Sequence, residues 1–215
     1  MAFGYLMHCS KKSALKNLGQ FLMGFAIMYV GLTFMKDCAN AVIGPEGQYA
    51  AQMQSFFGSI NGFGFGSVML FLFAGAILTI VLQASSATMA ITMLLAASGL
   101  IDFKLAVAMV LGENIGTTIT ANIAAAVANT SAKRAARAHT IFNIVGVIWV
   151  LILFSPIVAL ICTIMTALGF DNPMTVDMAG LNEAYKAAVG TPGEQLAEAN
   201  FLAAKNAMLY GIAML

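Results

Sequence analysis

Charged side chains are scarce in this sequence. Asp, Glu, Lys and Arg make up 9% of the 215 residues, whereas hydrophobic residues make up 60%. Soluble domains carry roughly 25% charged residues. A soluble domain of this size also has too much surface for its volume to hide so many apolar side chains from water. The low charge content therefore excludes an ordinary soluble domain and predicts an integral membrane protein.

Cysteine is also rare, and charge of one sign is not in excess. The three cysteines, Cys9, Cys38 and Cys162, lie far apart without CxxC spacing, which argues against a disulfide framework or a cysteine metal site. The formal net charge of +1 gives no reason to expect a nucleic-acid partner. No segment resembles a haem, zinc or nucleotide site, so we expect no cofactor.

Apolar segments of membrane-spanning length fill most of the sequence. A spanning helix needs about 20 mostly apolar residues, and a connection at 41–59 is expected to include an interfacial helix with Phe56 and Phe57. The sequence predicts an all-α membrane fold with a span at 18–35, a helical hairpin at 63–101, a broken helix at 105–128 and a span at 140–170.

The distribution of charge predicts an orientation in the cytoplasmic membrane. The N-terminal lysines and the basic segment 131–139 should both be cytoplasmic. They lie on the same side if the chain crosses once at 18–35, an even number of times in the hairpin region and once at 105–128. Residues 171–200 are polar and acidic and should lie in water on the other side. Residues 201–215 turn apolar again, and we interpret them as the start of a further, truncated span.

Two polar clusters interrupt the apolar segments, at residues 83–88 (QASSAT) and 112–120 (GENIGTTIT). Unpaired polar groups in hydrocarbon cost several kcal/mol, so broken helices occur where they are buried or line a cavity. Such breaks are the best sequence indication of a transporter's substrate site. Helix N-termini suit an anion, and Ser, Thr, Asn and Gln oxygens suit a hard cation such as sodium.

Other readings apply to single residues. The isolated Thr79, Thr92, Ser98 and Thr163 are expected to bond back to the backbone or to join helices. A serine of the first cluster acting as a protease nucleophile would need a GxSxG-like turn and a His partner. Neither is present, so we predict that the protein is not an enzyme.

The two clusters together resemble the type II sodium/phosphate cotransporter family. That family carries a QSSS(A)T motif and a GxNIGTTxTA motif in each of two inverted repeats, to which residues 83–88 and 112–121 are similar. The resemblance covers roughly residues 19–156, including 137–143 (RAHTIFN). It implies a fold equivalent to one repeat of an inverted-repeat transporter.

The resemblance also implies roles for individual residues. The substrate-binding set comprises Gln83, Ser85, Ser86 and Thr88, with Thr88 supporting the turn. The sodium-binding set comprises Gln83, Ser86, Asn114, Thr117 and Thr118. Gly112 and Gly116 would let the backbone bend.

Two residues depart from the family pattern. Ala84 replaces the first serine of the first motif, which removes one hydroxyl. Glu113 stands where the family often has a small residue. An ionisable group in a membrane segment is a functional candidate, so Glu113 is a candidate coupling residue that accepts sodium or a proton. The alternatives are a position in water at a helix end, or pairing with a lysine.

The function implied is sodium-coupled symport of inorganic phosphate by alternating access, with sodium as the coupling ion. The anion could also be arsenate or sulfate. Only one copy of the motif pair occurs, so this chain would supply one half-site and pair with a second copy or another repeat-bearing chain. The alternative is a non-transporting subunit, or a truncated half-transporter active only with a partner chain.

Overall fold

The computed structural model describes residues 5, 7–8, 12–43, 49–61 and 63–214, and this part of the chain is all-α. Helix accounts for 83%, and no strand occurs among those residues. The predicted fold class is therefore confirmed. The described helices are α1 (Ser13–Ile43), α2 (Ala50–Asn61), α3 (Phe65–Leu82), α4 (Ser85–Ala97), α5 (Phe103–Ala125), α6 (Thr130–Ile152), α7 (Phe154–Ala167), α8 (Met178–Ala188) and α9 (Glu194–Ala213).

The apolar stretch at 63–101 folds as a helical hairpin, α3 and α4. Between these helices Gln83 adopts a left-handed conformation, with φ 53° and ψ 25°. Ala84 is extended, with φ −147° and ψ 100°. The hydroxyl oxygens of Thr79 and Thr88 lie 3.2 Å apart across the turn, so the start of α4 contacts the end of α3. The first polar cluster forms this turn.

Helices α3 and α5 approach each other closely, and glycines lie at the contact. A Cβ built on Gly112 would overlap the carbonyl oxygen of Leu72, and one built on Gly116 would lie 2.6 Å from the carbonyl oxygen of Ala76. The hydrophobic effect does not drive helices together within lipid, so their association depends on van der Waals packing. Small residues four apart allow the close backbone approach that such packing needs. The glycines therefore bring the second polar cluster against α3.

The predicted broken helix at 105–128 is instead one continuous helix, α5. The hydroxyls of Thr117 and Thr118 donate to carbonyl oxygens of the same helix at 2.9 and 2.8 Å. Because these groups are satisfied within the helix, the polar cluster does not require the backbone to open. Gly112 and Gly116 accordingly lie at a helix–helix contact and not at a hinge.

The predicted basic connection at 131–139 and span at 140–170 form two helices, α6 and α7. The basic segment is helical because the side chain of Asn129 accepts the N–H of Ala132 at 2.9 Å and caps α6. The break between α6 and α7 at Leu153 precedes Pro156. Proline has no N–H with which to continue the helical bonding from α6.

The ends of the described chain also differ from the predicted boundaries. α1 extends beyond the predicted span at 18–35 in both directions, and α2 lies in the predicted connection. The polar segment 171–200 contains α8 and the first turns of α9, and most of 201–215 completes that same 20-residue helix. Tyr185 of α8 stacks on Phe201 of α9, with ring centroids 5.6 Å apart. α9 packs on α4, α5 and α7.

The outer helices expose apolar side chains. In the part of the chain that the structure describes, α3 and α6 are long and apolar enough to cross a membrane, judged by length and composition, and α4 and α7 are shorter apolar helices. On α6, Phe142 is 78% exposed and Trp149 is 63% exposed. Such a surface suits contact with lipid and agrees with the membrane protein predicted from composition.

Candidate functional site

The first turn of α4 presents backbone donors without partners in the helix. Ala84, at the N-cap, has no side chain that can accept from them, and its carbonyl oxygen accepts the N–H of Thr88 at 3.1 Å. The preceding N–H groups, those of Ser85, Ser86 and Ala87, have no carbonyl in the same helix to reach. Orphan N–H groups and the positive end of the helix dipole together favour an anion.

Three polar side chains surround these donors. Gln83, Ser85 and Ser86 are all exposed at the turn, and none makes a side-chain hydrogen bond to the described part of the chain. Gln83 is also the one non-glycine residue with positive φ among the described residues, a conformation that costs of order 1 kcal/mol. The turn therefore exposes amide and hydroxyl groups that are free to bind a ligand.

Thr88 lies on the protein side of the same turn. Its side chain is fully buried, and its hydroxyl reaches the carbonyl oxygen of Ala84 at 3.2 Å as well as the hydroxyl of Thr79. The contact between the Thr79 and Thr88 hydroxyls joins the first turn of α4 to the last turn of α3. The Thr88 hydroxyl is thus engaged in contacts within the hairpin.

Glu113 is buried between α4 and α5. It is 3% exposed, and its Oε1 accepts the hydroxyl of Thr92 at 2.6 Å. It forms no ion pair within the described residues, where the one salt bridge joins Lys186 and Glu183. Neither alternative weighed from the sequence, a position in water or pairing with a lysine, describes this environment. A buried carboxyl group of this kind requires a proton or a bound cation to balance it.

The remaining predicted residues lie along α5 in different environments. Asn114 is exposed, Thr117 is half-buried and Thr118 is fully buried. A Cβ on Gly116 would lie 2.7 Å from the Cβ of Thr79, so this segment passes the end of α3 beside the hairpin turn. The structure brings Gln83, Ser85 and Ser86 together, while Thr117 and Thr118 use their hydroxyl protons within their own helix.

Amide and hydroxyl oxygens are the cation-binding groups that this arrangement offers. No three His, Cys, Asp or Glu side chains in the described ranges lie close enough to share a metal ion. Oxygen ligands are the type that hard cations prefer. The exposed amides of Gln83 and Asn114 and the hydroxyl of Ser86 are the predicted ligands that are not already committed to internal hydrogen bonds.

Thr92 was not among the predicted site residues, although it holds Glu113. Its hydroxyl also lies 3.1 Å from the carbonyl oxygen of Thr88. The single hydroxyl proton is therefore within reach of the backbone of α4 and of a side chain on α5, the two roles expected of isolated threonines. Thr79 likewise approaches the carbonyl oxygen of Gly75 at 2.9 Å. The sequence feature that could have indicated the role of Thr92 is its four-residue spacing from Thr88, which places both on one helix face.

The fold and the site together define a class of protein. An all-α membrane fold carries a hairpin whose turn exposes an uncapped helix N-terminus and unpaired polar side chains. A buried carboxyl group lies on the neighbouring helix. Discontinuous helices that present such groups are the usual construction of substrate sites in helical membrane transport proteins.

The chain belongs to the Na+/Pi-cotransporter family, whose model matches residues 52–171. It is 30% identical over 148 residues to YqeW of Bacillus subtilis, covering 69% of this chain and 45% of that protein. It is 26% identical to the protein named "Putative inorganic phosphate export protein YjbB" of Salmonella typhimurium, covering 68% of this chain and 25% of that protein.

A mammalian relative also matches. The chain is 33% identical to "Sodium-dependent phosphate transport protein 2C" of Mus musculus, covering 59% of this chain and 22% of that protein. The chain thus spans less than half the length of these curated relatives. No solved structure matches it. The family resemblance predicted from the two motifs is confirmed.

Proposed function

We propose that this chain provides one half-site of a sodium-coupled symporter of inorganic phosphate in the cytoplasmic membrane. The observation that carries the proposal is the exposed and uncapped first turn of α4 beside Gln83, Ser85 and Ser86. Membership of the Na+/Pi-cotransporter family supports the substrate, and the name of the mouse relative supports sodium dependence.

Phosphate would bind at the N-terminus of α4. Its oxygens would accept from the backbone N–H groups of Ser85, Ser86 and Ala87 and from the two serine hydroxyls. Hydrogen bonds to a charged group contribute about 1.5–3 kcal/mol each. Because Ala84 supplies no hydroxyl, this site has one donor fewer than a turn with serine at that position.

Sodium ions would bind next to the anion through Gln83, Ser86, Asn114, Thr117 and Thr118. The two threonines would contribute hydroxyl lone pairs, because their protons are directed to carbonyls of α5. Sodium would offset the charge of the phosphate, so that the loaded site can cross the membrane by alternating access. Each net charge moved gains roughly 2.3 kcal/mol per 100 mV of membrane potential.

Glu113 would act as a coupling residue within this scheme. Its carboxyl group is buried and bonded to Thr92, so binding of a cation or a proton there would change the charge next to the hairpin. That change would reach the turn through Thr92 and Thr88, which are joined along α4.

The second candidate function is a half-transporter that works only with a partner chain. The share of each relative that the match covers favours this candidate: it is 45% of the Bacillus relative and 22% of the mouse relative. In that case a second repeat would come from a second copy or from another chain. The Salmonella relative is named as an export protein, so phosphate flux should be measured in both directions.

The test is radiolabelled phosphate flux in proteoliposomes that contain the purified chain, with sodium gradients of both directions. Sodium-driven flux is expected. Ser86→Ala should lower it at least about tenfold, the effect of losing one hydrogen bond to a charged group. Asn114→Ala should lower it by a similar factor through loss of an oxygen ligand of sodium. Ser98→Ala, which removes a hydroxyl bonded only to Leu95 at the other end of α4, is the matched control and should retain flux.

Each outcome has a distinct meaning. Normal flux in both site variants would contradict the site assignment. Flux without sodium dependence would contradict the coupling. Absence of flux from inserted, folded protein would favour the half-transporter, and co-reconstitution with a chain that carries a second motif pair should then restore it.

A further inference from the structure

A groove between α5 and α6 has two chemically different ends. One end is a cavity of about 300 Å³ with the polar side chains Asn122, Lys133 and Arg137 in its wall. The other is a cavity of about 590 Å³ with Asn122 and Arg137 again in its wall. The two cavities share Asn122, Ala126 and Arg137 in their walls, so they are neighbours along the contact between α5 and α6. We call the two cavities together the basic–apolar groove.

The basic end carries positive charge that no acidic side chain balances. Lys133 and Arg137 lie one helical turn apart on α6 and face the same side. Neither forms an ion pair with an acid in the described part of the chain. A lysine and an arginine at this spacing, with an amide opposite, match the donors that bind phosphate groups, and arginine can do so with two parallel hydrogen bonds.

The other end of the groove is apolar and open. Ile119, Ile123 and Ile141 line it, and Ile123 and Ile141 are 58% and 63% exposed. Asn122 fixes the spacing of its walls: its amide donates to the carbonyl oxygen of Thr118 at 2.8 Å and also contacts the hydroxyl of Thr140 on α6. This side-chain contact joins α5 to α6 beside the two cavities.

We propose that the basic–apolar groove binds an anionic phospholipid. The lipid phosphate lies against Lys133 and Arg137, and one acyl chain lies along Ile119, Ile123 and Ile141. Only a ligand with both a net negative phosphate headgroup and a hydrocarbon chain suits both ends. Inorganic phosphate would use the basic end alone, and a neutral lipid the apolar end alone. Basic pockets between membrane helices on the predicted cytoplasmic side suit such headgroups.

The groove is distinct from the proposed phosphate site. It lies between α5 and α6, whereas the hairpin turn connects α3 to α4. The proposal does not depend on transport, because lipid binding is measured on the purified protein without flux. Failure of one proposal can therefore be told from failure of the other.

Binding can be measured by native mass spectrometry of the full chain in detergent, titrated with phosphatidylglycerol. Work at about 0.5 M salt shortens the Debye length to roughly 4 Å and suppresses diffuse surface attraction. Phosphatidylglycerol should bind saturably, and phosphatidylcholine should bind at least tenfold more weakly, since each charge contributes about fivefold. The double variant Lys133→Gln, Arg137→Gln should weaken binding about 25-fold.

Matched variants separate the groove from the general surface. Arg134→Gln removes an exposed charge from the same helix outside the groove and should change binding less than about twofold at this salt concentration. Ile123→Trp fills the apolar end without changing charge and should weaken phosphatidylglycerol binding by about tenfold, because the acyl chain loses its contact area. This variant also tests whether the lipid binds in the groove if the double variant does not fold.

Three results would overturn the proposal. Equal losses in Arg134→Gln and in the double variant would indicate diffuse charge. Displacement of the lipid by millimolar inorganic phosphate, or equal binding of the headgroup without acyl chains, would indicate a soluble-anion site only. Efficient cross-linking between two copies through Ile123→Cys would place a second copy in the groove.

Discussion

At the scale of single residues, Gln83 contributes to the hairpin turn in two ways, through its backbone conformation and through its side-chain amide. Its backbone is left-handed with φ 53°, which glycine adopts without strain, while its amide is exposed and unpaired. Backbone and side chain can therefore be tested independently, because glycine keeps the turn and removes only the amide.

Gln83→Gly should leave the free energy of unfolding within about 1 kcal/mol of the wild type, because relief of strain offsets the greater freedom of the unfolded chain. Phosphate flux should fall at least about tenfold through loss of the amide ligand. Thermal unfolding in detergent and proteoliposome flux measure the two effects. Gln83→Val is the opposite control, since a β-branched side chain is strained at positive φ. Full flux in Gln83→Gly would remove the side chain from the site.

Thr92 and Glu113 form the other testable pair of residues. The Thr92 hydroxyl donates to the buried Glu113 carboxyl group at 2.6 Å. Thr92→Val keeps the shape and removes this donor, so the free energy of unfolding should fall by about 1–3 kcal/mol. Thr92→Ser, which keeps the hydroxyl, should lose less than half of that amount.

A double-mutant cycle with Glu113→Gln isolates the interaction from the effect of each change alone. We expect a coupling energy of about 1–2 kcal/mol from denaturation in detergent. Additive effects would mean that the two side chains do not depend on each other, and the proposed link between Glu113 and the hairpin turn would fail.

At the scale of helices, the contact between α3 and α5 depends on the absence of side chains. Gly112 meets the carbonyl oxygen of Leu72 so closely that a Cβ has no room, whereas nothing lies within 4 Å of a Cβ on Gly146 of α6. The two glycines occupy helices of equal length, so they form a matched pair.

Gly112→Ala should destabilise the protein by about 1–3 kcal/mol, because α5 must move away from α3. Gly146→Ala should stabilise it by about 0.5–1 kcal/mol through the higher helix propensity of alanine. Denaturation midpoints in detergent measure both. If Gly112→Ala proved as stable as Gly146→Ala, α5 would not pack on α3 in the way described.

The two polar clusters show how similar composition gives different local structure. In the first, Gln83 and Ala84 leave the helical conformation and α4 restarts at Ser85. In the second, the threonine hydroxyls find carbonyl partners within α5 and the helix continues. The difference lies in where the hydroxyl protons go, which the order of residue types does not specify.

At the scale of the whole molecule, the distribution of charge predicts which parts lie on each side of the membrane. The basic start of α6 is expected on the cytoplasmic side and the acidic region around α8 on the opposite side. Two helices, α6 and α7, and the turn after α7 separate these regions, so labelling of each side gives a direct measure of the topology.

Single cysteines at Arg134 and Glu183, in a background with Cys9, Cys38 and Cys162 replaced by serine, test this orientation. A membrane-impermeant thiol reagent should label Arg134→Cys only from the cytoplasmic side and Glu183→Cys only from the outside. Glu183 is exposed and therefore accessible to the reagent. Labelling of both positions from one side would contradict the predicted orientation and the single crossing between them.

The sequence by itself determined the membrane class, the all-α fold and the family. Composition excludes a soluble core, and two motifs at fixed spacing resemble one transporter family, so neither inference needs a three-dimensional contact. The hairpin turn at residues 83–84 could also be predicted, because a polar cluster within an apolar stretch too long for one span has to turn there.

Only the tertiary structure decided what the second cluster does. The close packing of Gly112 and Gly116 and the bond from Thr92 to Glu113 depend on which helix lies beside α5, and the continuity of α5 depends on which carbonyls its threonine hydroxyls reach. A glycine next to polar residues can form a hinge or a helix crossing, and a lone glutamate can face water or the interior. Packing between segments distant in sequence makes that choice, because it alone fixes which carbonyls and hydroxyls come within reach.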